Sequence, residues 1–389
     1  MNQTSPEGIC IDCAKEQELR NFILFQTEQG VCGYCQTSSQ NVSAKQRLPE
    51  LSNLIKALVR YYYDESSYNR HWGGDDIEHL LMSEDIIFDP HRCCSIDDET
   101  FIFIREKLIE PAYPDEDKGV WIYAGFDDGI RLMQNAMINQ PSSFYSDLRY
   151  KTHMQNHHDL EEDVISWLRG IDDRLSRTID KGDIFWRSRI GYKDRYIKTS
   201  GGLDHTLHYQ PFHADSIMPP PPPLASAGRI NRPNVSYLYL STDEDTAIAE
   251  VRPHPGHQVS TIQFQTTTTL KVIDFGTAKL SQFSSSDREL NKYHSILDFN
   301  RSFSTPVTPE EKGKYLITQL VADCIRRLGY QGISFSSSVG SGENLCLFSP
   351  SNASTIDQSA SVKTIKSLHY THENQNSVLN PDDSFYKLK

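Results

Sequence analysis

No run of 18 or more apolar residues occurs in the chain, and its N-terminus lacks the basic, apolar, small-residue progression of a secretory signal. A cytoplasmic protein without membrane contact is expected. Basic residues are also scarce: 39 Lys and Arg stand against 52 Asp and Glu, a formal charge of −13. Nucleic-acid binding needs clustered cations to displace counterions, so nucleic acid is not expected as a partner. The chain has no G-x-S-x-G elbow, Walker A loop or G-x-G-x-x-G fingerprint, and no internal repeat. What remains is a globular composition, 37% hydrophobic and 23% charged over 389 residues, enough for two or three domains.

Cysteine is present and patterned. Of the eight, Cys10 and Cys13 in "CIDC" and Cys32 and Cys35 in "CGYC" form two pairs separated by 18 residues. This is zinc-ribbon spacing: two residues between thiolates let each pair wrap one side of a tetrahedral Zn²⁺. Residues 1–45 therefore read as a small unit folded around a structural zinc, with Phe22, Ile23, Leu24 and Phe25 as its apolar plug. No βαβ pattern surrounds either pair, which disfavours a redox role.

Residues 46–180 read as mainly helical. Leu51, Leu54, Ile55, Leu58, Val59 and Tyr62 form one helical stripe behind Pro49 and Glu50, and Leu160, Val164, Trp167, Leu168, Ile171 and Leu175 form another. His71, His91, Cys93, Cys94, His153, His157 and His158 do not make a second metal site: "HRCC" is too tight and "HMQNHHD" lacks a matching pair. Arg149 and His153 are closer together than an HEPN-type ribonuclease motif requires.

From 181 the pattern changes to short β-type runs, "DIFWRSRI", "VSYLYLS", "VSTIQF", "LKVIDF", "QGISFSS" and "NLCLF", interrupted by helices at "DEDTAIAEV" and Tyr315 to Leu328. The expectation is an α+β domain on a mixed sheet over 181–355, then a polar tail over 356–389.

Several residues in this region suit a binding site. Glu250 sits among apolar neighbours, so it needs a partner, Arg252 being the nearest, or has a function. Arg187, Arg189 and Arg229 suit bidentate recognition of phosphate. Tyr237 and Tyr239 share a strand face, and Ser336, Ser337 and Ser338 enter a Ser/Gly loop that offers hydroxyls and N–H groups to an anion.

Together, "FWRSRIG", the five prolines before "ASAGRINRPNVSYLYLSTDEDTAIAEVRPHPG", then "LKVIDF", "KYLITQLVADCIRRLGYQGISFSSS" and "GENLCLF" resemble the RES domain, named for an Arg, a Glu and a Ser. The resemblance covers roughly 181–350. The N-terminal region resembles the zinc-ribbon and HEPN/RES-type extension found ahead of some RES domains. It implies a fold related to ADP-ribosyltransferases and an NAD⁺-consuming enzyme that cleaves the nicotinamide–ribose bond, with water or phosphate as acceptor. Such enzymes act as toxins of toxin–antitoxin pairs or in phage defence. Transfer of ADP-ribose to protein, or a zinc-ribbon recognition module on a degenerate scaffold, are the alternatives. By position the catalytic residues are Arg187, Glu250 and Ser337, with Ser336 and Ser338 as alternative registers and Arg229 and Tyr239 near the nucleotide. Where the family often has Arg-Ser-Ser, this chain has Ser336, Ser337 and Ser338. An antitoxin or trigger protein, or self-association, stays open as partner. Domain order alone suggests that the first 180 residues hold the activity in check.

Overall fold

In the N-terminal segment a helix lies between the two cysteine pairs, followed by a hairpin. These are α1 (Gln17–Phe25) and the antiparallel strands β1 (Thr27–Val31) and β2 (Ser38–Ser43). The structure, a computed structural model, describes residues 8–93, 98–115, 117–122, 135–199, 205–305, 307, 313 and 315–369. Cys94 and the end of the expected tail lie outside them. Helix α1 starts where the Glu16 carboxylate accepts from the Leu19 N–H at 2.8 Å. It buries Leu19, Phe22 and Ile23 and leaves Leu24 and Phe25 58% and 82% exposed. The expected plug is thus corrected: neighbouring residues on a helix point to different sides and cannot all face one core.

The helical part comprises α2 (Leu48–Tyr62), α3 (Glu65–Tyr68), α4 (Ile77–Ser83), α5 (Asp98–Phe103), which a π-helical stretch continues to Ile109, α6 (Ser143–Met154), α7 (His157–Arg169) and α8 (Asp172–Leu175). The stripes predicted from sequence are buried at Leu51, Leu54, Ile55, Leu58 and Val59 of α2 and at Leu160, Val164 and Leu168 of α7. Helix α7 stops at Arg169, so buried Ile171 and Leu175 belong to the following turn and α8.

Beyond Ser176 strands dominate: β3 (Ser176–Ile179), β4 (Ile184–Ile190), β5 (Asp194–Thr199), β6 (His205–Gln210), β7 (Leu238–Ser241), β8 (Gln258–Thr266), β9 (Leu270–Asp274), β10 (Gly332–Ser336), β11 (Glu343–Leu347) and β12 (Ala353–Thr364). Among them lie α9 (Glu244–Glu250), α10 (Asp287–Ser304) and α11 (Tyr315–Arg327). Eight strands form one mixed sheet, ordered β12-β8-β4-β7-β11-β10-β9-β3, while β5 and β6 form a hairpin of their own. The β9–β10 pair is parallel and the other described pairs in this sheet are antiparallel. Residues 356–364, expected in the tail, are strand: they continue β12, paired with β8. Strand β3 lies before the expected boundary at 181.

Alternation sorts the sheet's side chains. Leu238, Leu240, Ile262, Phe264, Leu345 and Leu347 fill one face. Tyr239, Ile333, Phe335 and Cys346 face a larger core with α10 and α11. That core runs on without a break to Ile9, Ile23, Leu54 and Leu168, so it crosses the expected boundaries at 45 and 180. No helix among the described residues is long and apolar enough to cross a membrane.

Candidate active site and cysteine cluster

Strands β4 and β7 are paired at a single position, Trp186 opposite Ser241. A cavity of about 370 Å³ opens beside this pairing, lined by Trp186, Arg187, Tyr239, Glu250, Asn344 and Phe335 among others. Register explains part of that set. Ser241 lies opposite Asn344 on β11, and Asn344 opposite Phe335 on β10, so one row of side chains crosses four strands.

Glu250 is the last residue of α9, whose start is capped by Asp243 accepting from the Thr246 N–H at 2.7 Å. A carboxylate at a helix C-terminus meets the unfavourable end of the dipole, a local rule broken where a site needs the charge. Its Oε1 accepts from the Ser337 hydroxyl at 2.7 Å and from Asn344 Nδ2 at 2.6 Å. Asn344, 6% exposed, accepts in turn from the Ser241 hydroxyl at 3.0 Å. Arg252, offered by sequence as the partner, is exposed, has a left-handed φ of 48°, and makes no ion pair among the described residues.

Of the three serines, Ser337 alone contacts Glu250. Its oxygen also accepts from the N–H groups of Val339 and Gly340 at 3.2 and 3.0 Å, which fixes the rotamer. Ser338 donates to the Ser304 carbonyl at 2.7 Å, and exposed Ser336 ends β10 beside Gly276.

The arginines are partly committed to backbone. Arg187 Nε and Nη1 donate to the carbonyls of Ile217 and Tyr239 at 2.8 and 2.9 Å, the second of these across the gap between β4 and β7. Burial, then the charge of Arg189, brings its pKa down to about 10, so it stays a cation at neutral pH. Arg229 donates to the Phe303 carbonyl. The Tyr239 hydroxyl donates to Asn231 Oδ1 at 2.8 Å and accepts from the Ile230 N–H at 3.3 Å, and burial pushes its pKa well up. It therefore braces the Gly228–Asn231 loop. Gly228 is required there, because a Cβ would lie 2.4 Å from Asn231 Oδ1. Two other residues lie elsewhere: Arg189 stacks over Phe212 at 4.4 Å, and buried Tyr237 packs on Phe348.

Asn344, Trp186, Ser188, Ser241, Phe335 and Tyr315 are among the lining residues that sequence reasoning missed. The signal for Asn344 is a polar residue on the same strand face as apolar Cys346 in "ENLCLF", a pattern that a solvent-facing position produces equally well.

At the other end of the chain, the Sγ atoms of Cys10, Cys13, Cys32 and Cys35 lie within 4.8 Å of one another, all buried. Closest separations are 3.4 Å for Cys10–Cys13 and 3.9 Å for Cys10–Cys35 and Cys13–Cys32. Sulfurs about 2.3 Å from a tetrahedral zinc would sit roughly 3.8 Å apart, so the cluster fits a metal ion. Hydrogen bonding from Cys13 and Cys32 holds the Cys10 thiol well below its ordinary pKa range, and bonding from Cys32 lowers that of Cys35. The bond to Cys10 pushes Cys13 and Cys32 up, so a metal would have to displace those protons. No histidine joins the cluster among the described residues.

Residues 202–370 match the family model of the RES domain. The chain carries a RES domain. Its match spans Arg229, Tyr239, Glu250 and Ser337; Arg187 lies ahead of it, on a strand of the same sheet. The crystal structure of the M. tuberculosis MbcT-MbcA toxin-antitoxin complex is similar at 12% identity, covering 52% of this chain and 92% of that one. Its TM-score is 0.28, too slight a likeness to bear on fold or function. No curated protein matches the chain.

Proposed function

We propose that the RES domain degrades NAD⁺ by cleaving the nicotinamide–ribose bond, with water or phosphate accepting the ADP-ribose, and that the protein acts as a toxin or defence effector. The observation that carries this reading is Glu250, a carboxylate gripped by Ser337 and Asn344 in a cavity whose lining also includes Arg187, Arg229 and Arg252 and the rings of Trp186, Tyr239, Tyr315 and Phe335. Nicotinamide leaves as a neutral molecule and its departure makes the ribose oxocarbenium-like. The reaction therefore needs negative potential at the ribose and a firm hold on the pyrophosphate, rather than an acid for the leaving group. Glu250 is assigned the first task. The second falls to the guanidinium N–H groups of Arg187 and Arg229 that their backbone bonds leave over. Tyr239 offers its ring and keeps the Arg229 loop in place, and Ser337 holds the carboxylate in position. The cysteine cluster is assigned a structural zinc.

The test is incubation of the full-length protein with NAD⁺, with and without phosphate, beside Glu250→Gln. The substitution keeps an acceptor oxygen for Ser337 and removes the charge. Nicotinamide release is expected to fall about 10²–10³-fold, and the product, ADP-ribose or its phosphorylated form, names the acceptor. Wild-type turnover from a folded Glu250→Gln protein would overturn the assignment.

A further inference from the structure

A second cavity, of about 220 Å³, opens between α6, the end of α10 and the start of α11. Arg149, His153 and Arg301 line it, and no carboxylate does among the described residues. In a chain of formal charge −13, counted with His neutral, two arginines and no carboxylate among the described lining residues set this cavity apart. Arg149 and His153 are four residues apart on α6 and so share a face. That helix is fixed against α10: the Tyr145 and Ser302 hydroxyls are 2.7 Å apart, and buried Asp298 accepts from the Ser142 N–H at 2.7 Å. Arg301 makes one long ion pair among the described residues, 3.6 Å to Asp298, which leaves most of its donors uncommitted.

Two features join this cavity to the one at Glu250. Tyr315 lines both. The last turn of α10 also links them: Arg301 and Ser302 line the second cavity, while the Phe303 carbonyl accepts from Arg229, which lines the first. We propose that the second cavity is an anion subsite continuous with the first, taking a phosphate of the dinucleotide's adenosine half. This rests on the NAD⁺ reading above. A cavity of about 370 Å³ is at the small end of the range for ligand pockets, roughly 300–1,000 Å³, and a dinucleotide entering by its nicotinamide end extends beyond it. Paired guanidinium groups suit the phosphate that follows. Arg149 and His153 lie outside the residues that match the RES domain, so the helical region supplies one wall of the substrate site.

The test uses Arg149→Gln and Arg301→Gln in the full-length protein. Binding of ADP-ribose and of 2′-phospho-ADP-ribose is measured at equilibrium, and nicotinamide release from NAD⁺ and from nicotinamide mononucleotide is followed in parallel. Each substitution is expected to weaken ADP-ribose binding about tenfold and to lower the preference for NAD⁺ over the mononucleotide by a similar factor. A loss confined to 2′-phospho-ADP-ribose assigns the subsite to the 2′-phosphate; an equal loss for both ligands assigns it to the pyrophosphate. Variants that bind both ligands like wild type overturn the subsite, and Glu250-dependent nicotinamide release would then leave the cleavage reading standing. Weakened binding by the variants with no release from wild type would instead keep the subsite and overturn the cleavage reading. Wild type that binds neither ligand and releases no nicotinamide overturns both.

Discussion

Lys56 lies on the buried face of α2, 2% exposed, with its Nζ 3.2 Å from the Pro111 carbonyl. Burial lowers its pKa from the ordinary 10.5 to about 8, with Asp287 opposing weakly. Between those values the unfolded chain keeps a proton that the folded one has released, so this residue's contribution to stability rises with pH across that window, by up to about 3 kcal/mol. Lys56→Met is therefore expected to be more stable than wild type at pH 7, by an amount that shrinks as pH approaches 10. Unfolding free energies of both proteins at the two pH values check this, and a difference independent of pH would count against it. Such a residue is invisible in the sequence, where lysine on a helix reads as solvated. Glu250 is legible for the opposite reason: a carboxylate between Ala249 and Val251 has to be explained. Its partners are not, because Ser337 and Asn344 come from 87 and 94 residues away, and pairing across strands leaves no local trace.

At the scale of elements, helices and strands with one clean apolar face are readable from sequence and those with mixed faces are not. The inner face of α10 carries His294, Ser295 and Asp298 beside Leu290, Ile296, Phe299 and Phe303, so its periodicity is broken although the helix is buried. Its polar groups are satisfied by the helical region: His294 Nε2 lies 2.7 Å from the Gln140 carbonyl, and Ser295 donates to Ser142 at 3.0 Å. Strand β12 reads as tail because its residues are half-exposed and polar, and its pairing with β8 is what orders it. The cysteine segment is legible as a cluster but not as part of a larger core. Tyr34, between Cys32 and Cys35, is fully buried, stacks on Phe88 at 4.8 Å and donates to the Leu81 carbonyl. Gly33 lies so close to Phe103 that a Cβ would sit 2.4 Å from the ring. Chelation of the metal, or Cys13→Ser, is therefore expected to lower the melting temperature of the whole chain in a single transition, because the segment shares its core with α2 and α10. Calorimetry with and without chelator decides this, and a separate early transition with an unchanged main one would show that the segment folds alone.

For the whole molecule the same continuity changes what the first 180 residues do. Domain order suggests a restraint whose removal frees the enzyme, so that a fragment starting near 181 gains activity. Such a fragment loses β3, which pairs with β9 at the edge of the sheet. With it goes Arg177, whose Nη1 is 2.9 Å from Asp274 and 2.6 Å from Glu343, so both carboxylates lose their cation. Arg177 is itself 37% exposed, so losing this pair costs less than the ~3–5 kcal/mol of a fully buried one, and that loss adds to the loss of the β3–β9 ladder. The fragment also exposes Phe299, which packs against Trp167 with ring centroids 4.9 Å apart and edge-on against Tyr145 at 5.4 Å, along with the face of α11 that packs on α7. The expected outcome is therefore an insoluble or molten fragment 181–389 with nicotinamide release below that of the full chain. Solubility, cooperative unfolding and turnover measured side by side check it, and a folded fragment that outpaces the full-length protein would restore the restraint.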